Sequence, residues 1–557
     1  MEKIDKTIEI SFRGKDKKSF PMYTSLLEIS KNYQKHFNYP IMVAKVDNEI
    51  YELDKTIDKD CNIDFFDRSS AIGNNVYSKS VQFLLIVAVR KVLGSGAKVI
   101  IQHSIDKGIY CEIEGISLDQ PKLNMIEETM QHMVKRDYII TKLKVDRLDA
   151  IKYFKKENML DKMKVLKYTS NTLINLHRLD DVYDYFFSEL AYSTKDLDSF
   201  KLTYIKDNGF VLLYPNIYNP DLILDYQHRE KVFNEFSKYT KWGKTIGINN
   251  ASDLNEFVSQ GKYTDIIRLS EVYYESQLSR IADKIYDNKD NIKIILLAGP
   301  SSSGKTTTSK KLEVYLQAKG YKTHTISVDD YFLEKEETPL DEYGEKDFES
   351  IRAIDISLFN DHMTKLLNGE KVLLPQYNFI TGKKEYKKRW LEIKEGDIII
   401  IEGLHALNDE LTLSIDRNLK YKIYISPLTQ LNIDDHNRIH TSDTRRLRRI
   451  IRDNRSRGYN ASDTLKMWPR IRRGEEKYIY PYQEDIDAVI NSSLIYEIGV
   501  LKVYAEPLLY SVPEDDESYE EAIRLINLLR NFLPIPSDDI SKDSVLREFI
   551  GGSSFKE

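Results

Sequence analysis

Hydrophobic and polar positions divide the chain into stretches of different period. Over residues 7–66 short apolar runs alternate with turn residues. Ile8-Glu9-Ile10-Ser11-Phe12 alternates, Gly14-Lys15-Asp16 interrupts, a helical stretch runs from Leu26 to Tyr33, and Ile41–Val46 and Ile63–Phe66 are strand-like. The run from Val81 to Val89 is apolar except for Gln82 and stops at Arg90-Lys91, which predicts a buried helix. No stretch approaches the roughly 18 apolar residues that would cross a bilayer. Ile266, Ile267, Leu269, Val272, Leu278, Ile281 and Ile285 recur at near-helical spacing until Asp287–Asn291 ends them. From residue 292 strand-like and helical runs alternate, as in a parallel sheet with crossover helices. The pattern predicts a multidomain α/β and α+β chain with boundaries at 1–68, 69–235, a helical linker at 236–290, and a doubly wound α/β unit at 291–557.

A length of 557 residues exceeds what one hydrophobic core supports. With 41% hydrophobic and 31% charged residues and a net charge of −6, the chain has the composition of a water-soluble protein and lacks the global positive charge of a nucleic-acid coat. Cys61 and Cys111 are the only cysteines, so neither a disulfide framework nor a cysteine-rich zinc site can be built, and a reducing cytoplasm is expected. The N-terminal MEKIDKTIEISFRGKDKK has no apolar core of a secretory signal.

Chemistry enters after the apolar run Ile292–Ala298. Gly299-Pro300-Ser301-Ser302-Ser303-Gly304-Lys305-Thr306-Thr307 follows it directly and leads into a helical segment, the strand, loop and helix context of a phosphate-binding P-loop. Backbone N–H groups of such a loop close around phosphates, and the helix N-terminus adds partial positive charge. Residues 299–307 are therefore expected to bind ATP, with Lys305 reaching the β- and γ-phosphates and the Thr306 hydroxyl on Mg²⁺.

Two further strand-like runs close on acids: Thr323–Val328 on Asp329-Asp330-Tyr331-Phe332, and Asp397–Ile401 on Glu402-Gly403. Carboxylates at the C-terminal edge of a parallel sheet lie where ligands bind. A kinase needs one to orient the acceptor hydroxyl and one to hold the metal; Asp329 takes the first role and Glu402 the second. Seven arginines occupy residues 443–457, and on a helix Arg445, Arg448, Arg449 and Arg452 share a face, with Arg457 at the Gly458 break. Such a segment suits a mobile lid closing over the transferring phosphoryl group, and equally an RNA patch or a solvated face. His436 and His440, four residues apart, read as a structural or phosphate-proximal pair on the helix entering that lid.

Together, GPSSSGKTT, the strand-end Asp-Asp-Tyr-Phe, Pro375-Gln376-Tyr377-Asn378-Phe379, Ile401-Glu402-Gly403 and the segment Asp443 to Gly458 resemble the uridine kinase/phosphoribulokinase family over about residues 292–505. The resemblance implies a P-loop NTPase fold, Asp329 as catalytic base, and Tyr377 lining a nucleoside pocket with Tyr331 and Arg445. It implies Lys305, Arg448, Arg449 and Arg452 at the transferring group and Arg457 on the nucleotide. Gly382 stands where the family carries a base-reading histidine, so the acceptor need not be uridine or cytidine.

Residues 1–68 resemble the TGS domain, a β-grasp fold, and residues 69–235 resemble the second additional, editing-type domain of threonyl-tRNA synthetases. That family's HxxxH and Cys-x-x-x-His ligands are missing: the matching stretches read Tyr77-Ser78-Lys79-Ser80-Val81-Gln82 and Phe186–Tyr192. The resemblance therefore implies a binding or scaffolding role. The leading expectation is an ATP- and Mg²⁺-dependent kinase acting on a small hydroxyl-bearing substrate, most simply a nucleoside. The alternative is a nucleotide-responsive RNA-binding, translation-associated protein. The residues leave RNA and a second copy of the chain open as partners and offer nothing for a membrane. No Asn-Lys-x-Asp guanine-reading motif follows the P-loop, which disfavours a GTPase.

Overall fold

A computed structural model describes residues 6–206, 208–342, 344–378, 381–429 and 431–555. Phe379, quoted above with Tyr377, and the first five residues lie outside them. The first unit is a five-stranded mixed sheet in the order β2-β1-β5-β3-β4, from β1 (Thr7–Phe12), β2 (Asp16–Pro21), β3 (Ile41–Val46), β4 (Glu49–Tyr51) and β5 (Cys61–Asp67). Alternation decides which face is covered: Ile8, Ile10 and Phe12 point into one core with Ile29, Tyr33, Ile63 and Phe65.

The apolar run near residue 85 lies inside α1 (Ala71–Leu93), in which every residue from Val76 to Val89 is buried. A helix apolar all round must be enclosed. Beside it lies a four-stranded antiparallel sheet, β11-β12-β7-β6, made of β6 (Lys98–Ile105), β7 (Gly108–Glu114), β11 (Lys201–Lys206) and β12 (Gly209–Leu213). A small sheet of β8 (Ile140–Asp146), β9 (Leu173–Leu179) and β10 (Val182–Asp184) adjoins.

Residues 294–491 contain a five-stranded parallel sheet in the order β14-β15-β13-β16-β17: β13 (Ile294–Ala298), β14 (Thr323–Ser327), β15 (Ile398–Glu402), β16 (Lys420–Ser426) and β17 (Ala488–Asn491). Its central strand is buried on both faces, as parallel strands covered by helices are. Ile295 and Leu297 enter one core with Ile400 and Ile423, while Ile294, Leu296 and Ala298 enter the other with Ile399 and Ile401. Helix α2 (Tyr263–Asp287) places Ile267, Leu278, Ile281 and Ile285 in the first of these cores. It is thus part of the sheet's covering layer rather than a spacer, and Leu269 and Val272, off that stripe, are exposed.

The segment from 431 to 440, between β16 and helix α4 (Thr441–Ser456), reaches back to the second unit. Its Asp435 carbonyl accepts the Ile101 N–H at 2.7 Å and its Asn432 amide donates to the Ile101 carbonyl at 2.9 Å, covering part of the open edge of β6. No helix among the described residues is long and apolar enough to cross a membrane.

Candidate active site

The P-loop forms where the sequence places it, between β13 and helix α3 (Lys305–Ala318). Gly304 is its pivot: φ is +89°, and a Cβ there would stand 2.4 Å from Val545 Cγ2. Lys305 is curled onto the loop, donating to the carbonyls of Gly299 (3.0 Å) and Pro300 (3.3 Å). Buried Ser302 Oγ and Ser303 Oγ have no protein partner, and the Thr306 side chain is only half-buried. A loop with spare donors, a lysine held at its rim and an adjacent carboxylate fits a nucleoside triphosphate. Lys305 and the N–H groups of 304–307 would hold the phosphates, and Thr306 and Glu402 a divalent cation that neutralises them.

The two strand-end acids converge with that lysine. Asp329 is solvent-accessible yet hemmed in by protein; enclosure raises its carboxyl while Lys305 and Arg457 pull it down. Glu402 accepts from Ser327 Oγ at 2.9 Å, and enclosure plus the charge of Asp329 push it up to about 7. A carboxyl raised by its neighbour beside one lysine forms a place for a cation or a proton. Asp330 is occupied elsewhere: it pairs with Arg389 at 2.7 Å and accepts the Tyr377 N–H at 3.3 Å. Tyr377 is buried with its ring 5.5 Å from that of Phe332.

Three expected site residues are taken up by protein partners. Tyr331 is fully buried, its hydroxyl 3.0 Å from His362 Nδ1 and its ring against Phe359, because the tight turn over 328–331 rotates it into the core. Arg445 makes a bidentate pair with buried Glu475, whose other task is to accept the Ser301 N–H at 3.2 Å. Arg448 is wholly buried. It pairs with Glu497 at 2.6 Å and donates to the carbonyls of Ser492 (2.8 Å) and Ser302 (3.4 Å). These two arginines stand on the inner side of α4 and brace the P-loop rather than riding on a mobile lid.

Of the remaining expected arginines, Arg449 touches the loop and Arg457 lies within electrostatic reach of Asp329. Arg449 donates to Ser301 Oγ at 2.6 Å and pairs with Asp453 at 3.0 Å; Arg452 and Arg457 reach the same buried Asp453 at 2.9 and 3.7 Å. The two histidines part company, since 431–440 is not helical. His436 bonds Asp184 at 2.6 Å, while His440 is the residue before the first turn of α4.

Several acids at the site have no motif to announce them. Half-buried Glu349 lies within electrostatic reach of Asp329, Lys305 and Arg449, and enclosure with the nearby Glu475 pushes it up to about 7. Glu475, Glu497 and Asp453 fix the arginines. Glu548, from the C-terminal segment, accepts from both the N–H and the hydroxyl of Thr307. Only the unpaired excess of arginine over acid within 443–457 hinted that partners must come from elsewhere.

A parallel sheet with a P-loop at its central strand, acids on the neighbouring strand ends and arginines over the loop defines the class of P-loop kinases. Residues 294–497 match the profile of the Phosphoribulokinase / Uridine kinase family, so the C-terminal part of the chain is a kinase domain of that kind. A uridine kinase of Halobacterium salinarum is 25% identical over 232 residues, covering 41% of this chain and 94% of its own. One from Anoxybacillus flavithermus is 25% identical over 198 residues, 35% of this chain and 84% of its own. The solved D-glycerate 3-kinase of Cryptococcus neoformans var. grubii covers 48% of this chain and 89% of its own at 15% identity and a TM-score of 0.21.

Proposed function

We propose that the C-terminal part of this protein transfers the γ-phosphate of ATP to a hydroxyl group of a small molecule of nucleoside type. The observation that carries this reading is the meeting of Asp329, Glu402 and Lys305 at the mouth of the parallel sheet. Among the described residues the Asp329 carboxylate makes no hydrogen bond or ion pair, unlike that of Asp330, and can take the acceptor proton as the oxygen attacks. Glu402 and Thr306 hold the cation, Lys305 follows the γ-phosphate, and Arg449, Arg452 and Arg457 offset charge on its oxygens.

Gly382 shapes the acceptor side. Its φ is +69° and a Cβ would lie 2.7 Å from Lys335 Cβ, so a larger side chain there requires a shift of both. The pocket is therefore built without a base-reading imidazole at this position, which favours an acceptor recognised through its sugar hydroxyls. The RNA-binding alternative draws no support from 443–457, whose arginines are largely engaged with Glu475, Glu497 and Asp453.

ATP consumption across a panel of nucleosides and phosphorylated sugars tests the proposal, with Lys305→Ala as the blank. Turnover with at least one acceptor that disappears in the blank and in Asp329→Asn supports it. Equal rates in all three proteins would remove it.

A further inference from the structure

Helix α1 and the segment 431–440 enclose two cations, Lys79 and Arg438, that form no ion pair among the described residues. Lys79 is 8% exposed in the middle of α1. Among the described residues its ammonium has one hydrogen-bond partner, Gln82 Oε1 at 3.5 Å, and no carboxylate within ion-pair distance. Arg438, from the kinase side, lies within electrostatic reach of it. One Arg438 nitrogen is 3.0 Å from His440 Nδ1, and its buried Nε has no partner. The nearby acids are already engaged: Asp443 is clasped by Arg524 at 2.7 and 3.0 Å, and Asp434 by Lys162 at 3.0 Å.

Burying one unpaired ammonium is costly, and placing a guanidinium beside it adds repulsion. The strain shows in the titration of all three groups. Enclosure and then Arg438 push Lys79 down to about 7; Arg438 and then enclosure hold His440 well below its ordinary range; enclosure lowers even Arg438. A fold that merely needed to fill this space would do so with apolar side chains, as α1 does from Phe83 to Val89. The walls are instead polar: Ser78 Oγ bonds the Tyr214 hydroxyl at 2.8 Å and receives the Gln82 amide at 3.0 Å. His440 also precedes the first turn of α4 without capping it, so the positive end of a 16-residue helix opens on the same side. Arg438 and His440 keep part of their surface open to solvent, which gives a ligand a way in.

We propose that the space between Lys79, Arg438 and His440 is a binding site for a phosphate-bearing small molecule. The ammonium, the guanidinium and the helix end supply convergent donors of one sign, which suits a dianion better than a monocarboxylate. Because α4 starts at this site and carries Arg449 and Arg452 to the P-loop, an occupant here is joined to the kinase site by one rigid element.

The test uses the full chain carrying Lys305→Ala, which weakens phosphate binding at the P-loop, and reads binding rather than turnover, so it stands apart from the kinase assignment. Inorganic phosphate is titrated at constant ionic strength by calorimetry and by the thermal unfolding midpoint, with acetate as the monocarboxylate control. We expect one saturable phosphate site that raises the midpoint. Adding Lys79→Met leaves the phosphate-free midpoint equal or higher, since an unpaired buried charge is gone, and weakens phosphate binding about tenfold or more. Arg438→Gln weakens it to a similar degree and decides the matter should the first variant not fold. Absence of saturable binding in the parent, binding unchanged by both substitutions, or acetate acting as strongly as phosphate would overturn the proposal.

Discussion

One carboxylate oxygen of Glu548 accepts two hydrogen bonds from Thr307, from the backbone N–H at 3.0 Å and from the hydroxyl at 2.7 Å. Thr307 lies in the first turn of α3, where N–H groups have no partner within the helix and where a P-loop receives phosphate. An acid from the C-terminal segment thus holds a donor that a nucleotide needs. The segment is anchored there: Arg455 donates to the Glu548 carbonyl at 3.0 Å, the Arg448 guanidinium lies 4.9 Å from the centre of the Phe549 ring, and Val545 packs on Gly304.

Glu548→Gln should therefore bind ATP more tightly. The amide keeps the shape but removes an anion that competes with phosphate at a helix N-terminus, an effect on the order of 1 kcal/mol, or about fivefold in KM for ATP. The rate at saturation should stay near that of the parent. A KM that rises instead would show that Glu548 serves the nucleotide site.

Asp329→Asn should lower kcat by about a hundredfold or more, the usual loss when a positioned base is neutralised, with ATP binding kept. Asp330→Asn should behave differently. It loosens the tie to Arg389 and to the Tyr377 backbone, so the KM for the acceptor rises while kcat falls much less. Steady-state kinetics of the two variants separate a reacting carboxylate from a bracing one, and matching profiles would refute the distinction.

Arg448 and Arg449 are adjacent in sequence and opposite in role. Arg448→Ala strands the carboxylate of Glu497, 1% exposed, and should cost about 3 kcal/mol or more of stability. Arg449→Ala leaves Asp453 its contact with Arg452, so unfolding should move little while kcat/KM falls about tenfold or more, through lost stabilisation of phosphoryl charge. Denaturant unfolding and kinetics on both proteins decide; equal destabilisation would contradict the assignment.

This pair also shows what was legible in the sequence. The P-loop, its strand and the acids at 329 and 402 are local patterns, each fixed by a few consecutive residues, and they reappear together in space. Helical spacing put Arg445, Arg448, Arg449 and Arg452 on one face but could not say what that face meets. The partners of Arg445 and Arg448, Glu475 and Glu497, arrive from other elements, and only tertiary packing supplies them. Tyr331 turns into the core for a related reason: a single turn of 3₁₀ geometry at 328–331 rotates consecutive side chains to different sides, where a continued strand would have kept alternation. The match of Val81–Val89 to a buried helix succeeded because uniform apolarity needs no knowledge of direction.

Asp184 joins the second unit to the kinase segment, and its chemistry makes that joint sensitive to acid. It is fully buried, 2.7 Å from Lys162 and 2.6 Å from His436 Nδ1, and Lys162 also holds Asp434. Burial alone would raise its carboxyl, but Lys162 and His436 outweigh that and hold it below the usual range. A depressed folded-state value means the unfolded chain takes up the proton first. The contribution is complete above the unfolded value of about 3.9 and is lost as pH falls below it. Asp184→Asn, which leaves Lys162 with one acid instead of two, should cost about 3 kcal/mol at neutral pH. The gap between variant and parent should narrow as the pH drops below about 4, where the unfolded parent chain takes up a proton that the folded carboxylate still refuses. Urea unfolding of both proteins across that range measures the gap, and a cost independent of pH would show that the ion pairs contribute nothing beyond packing.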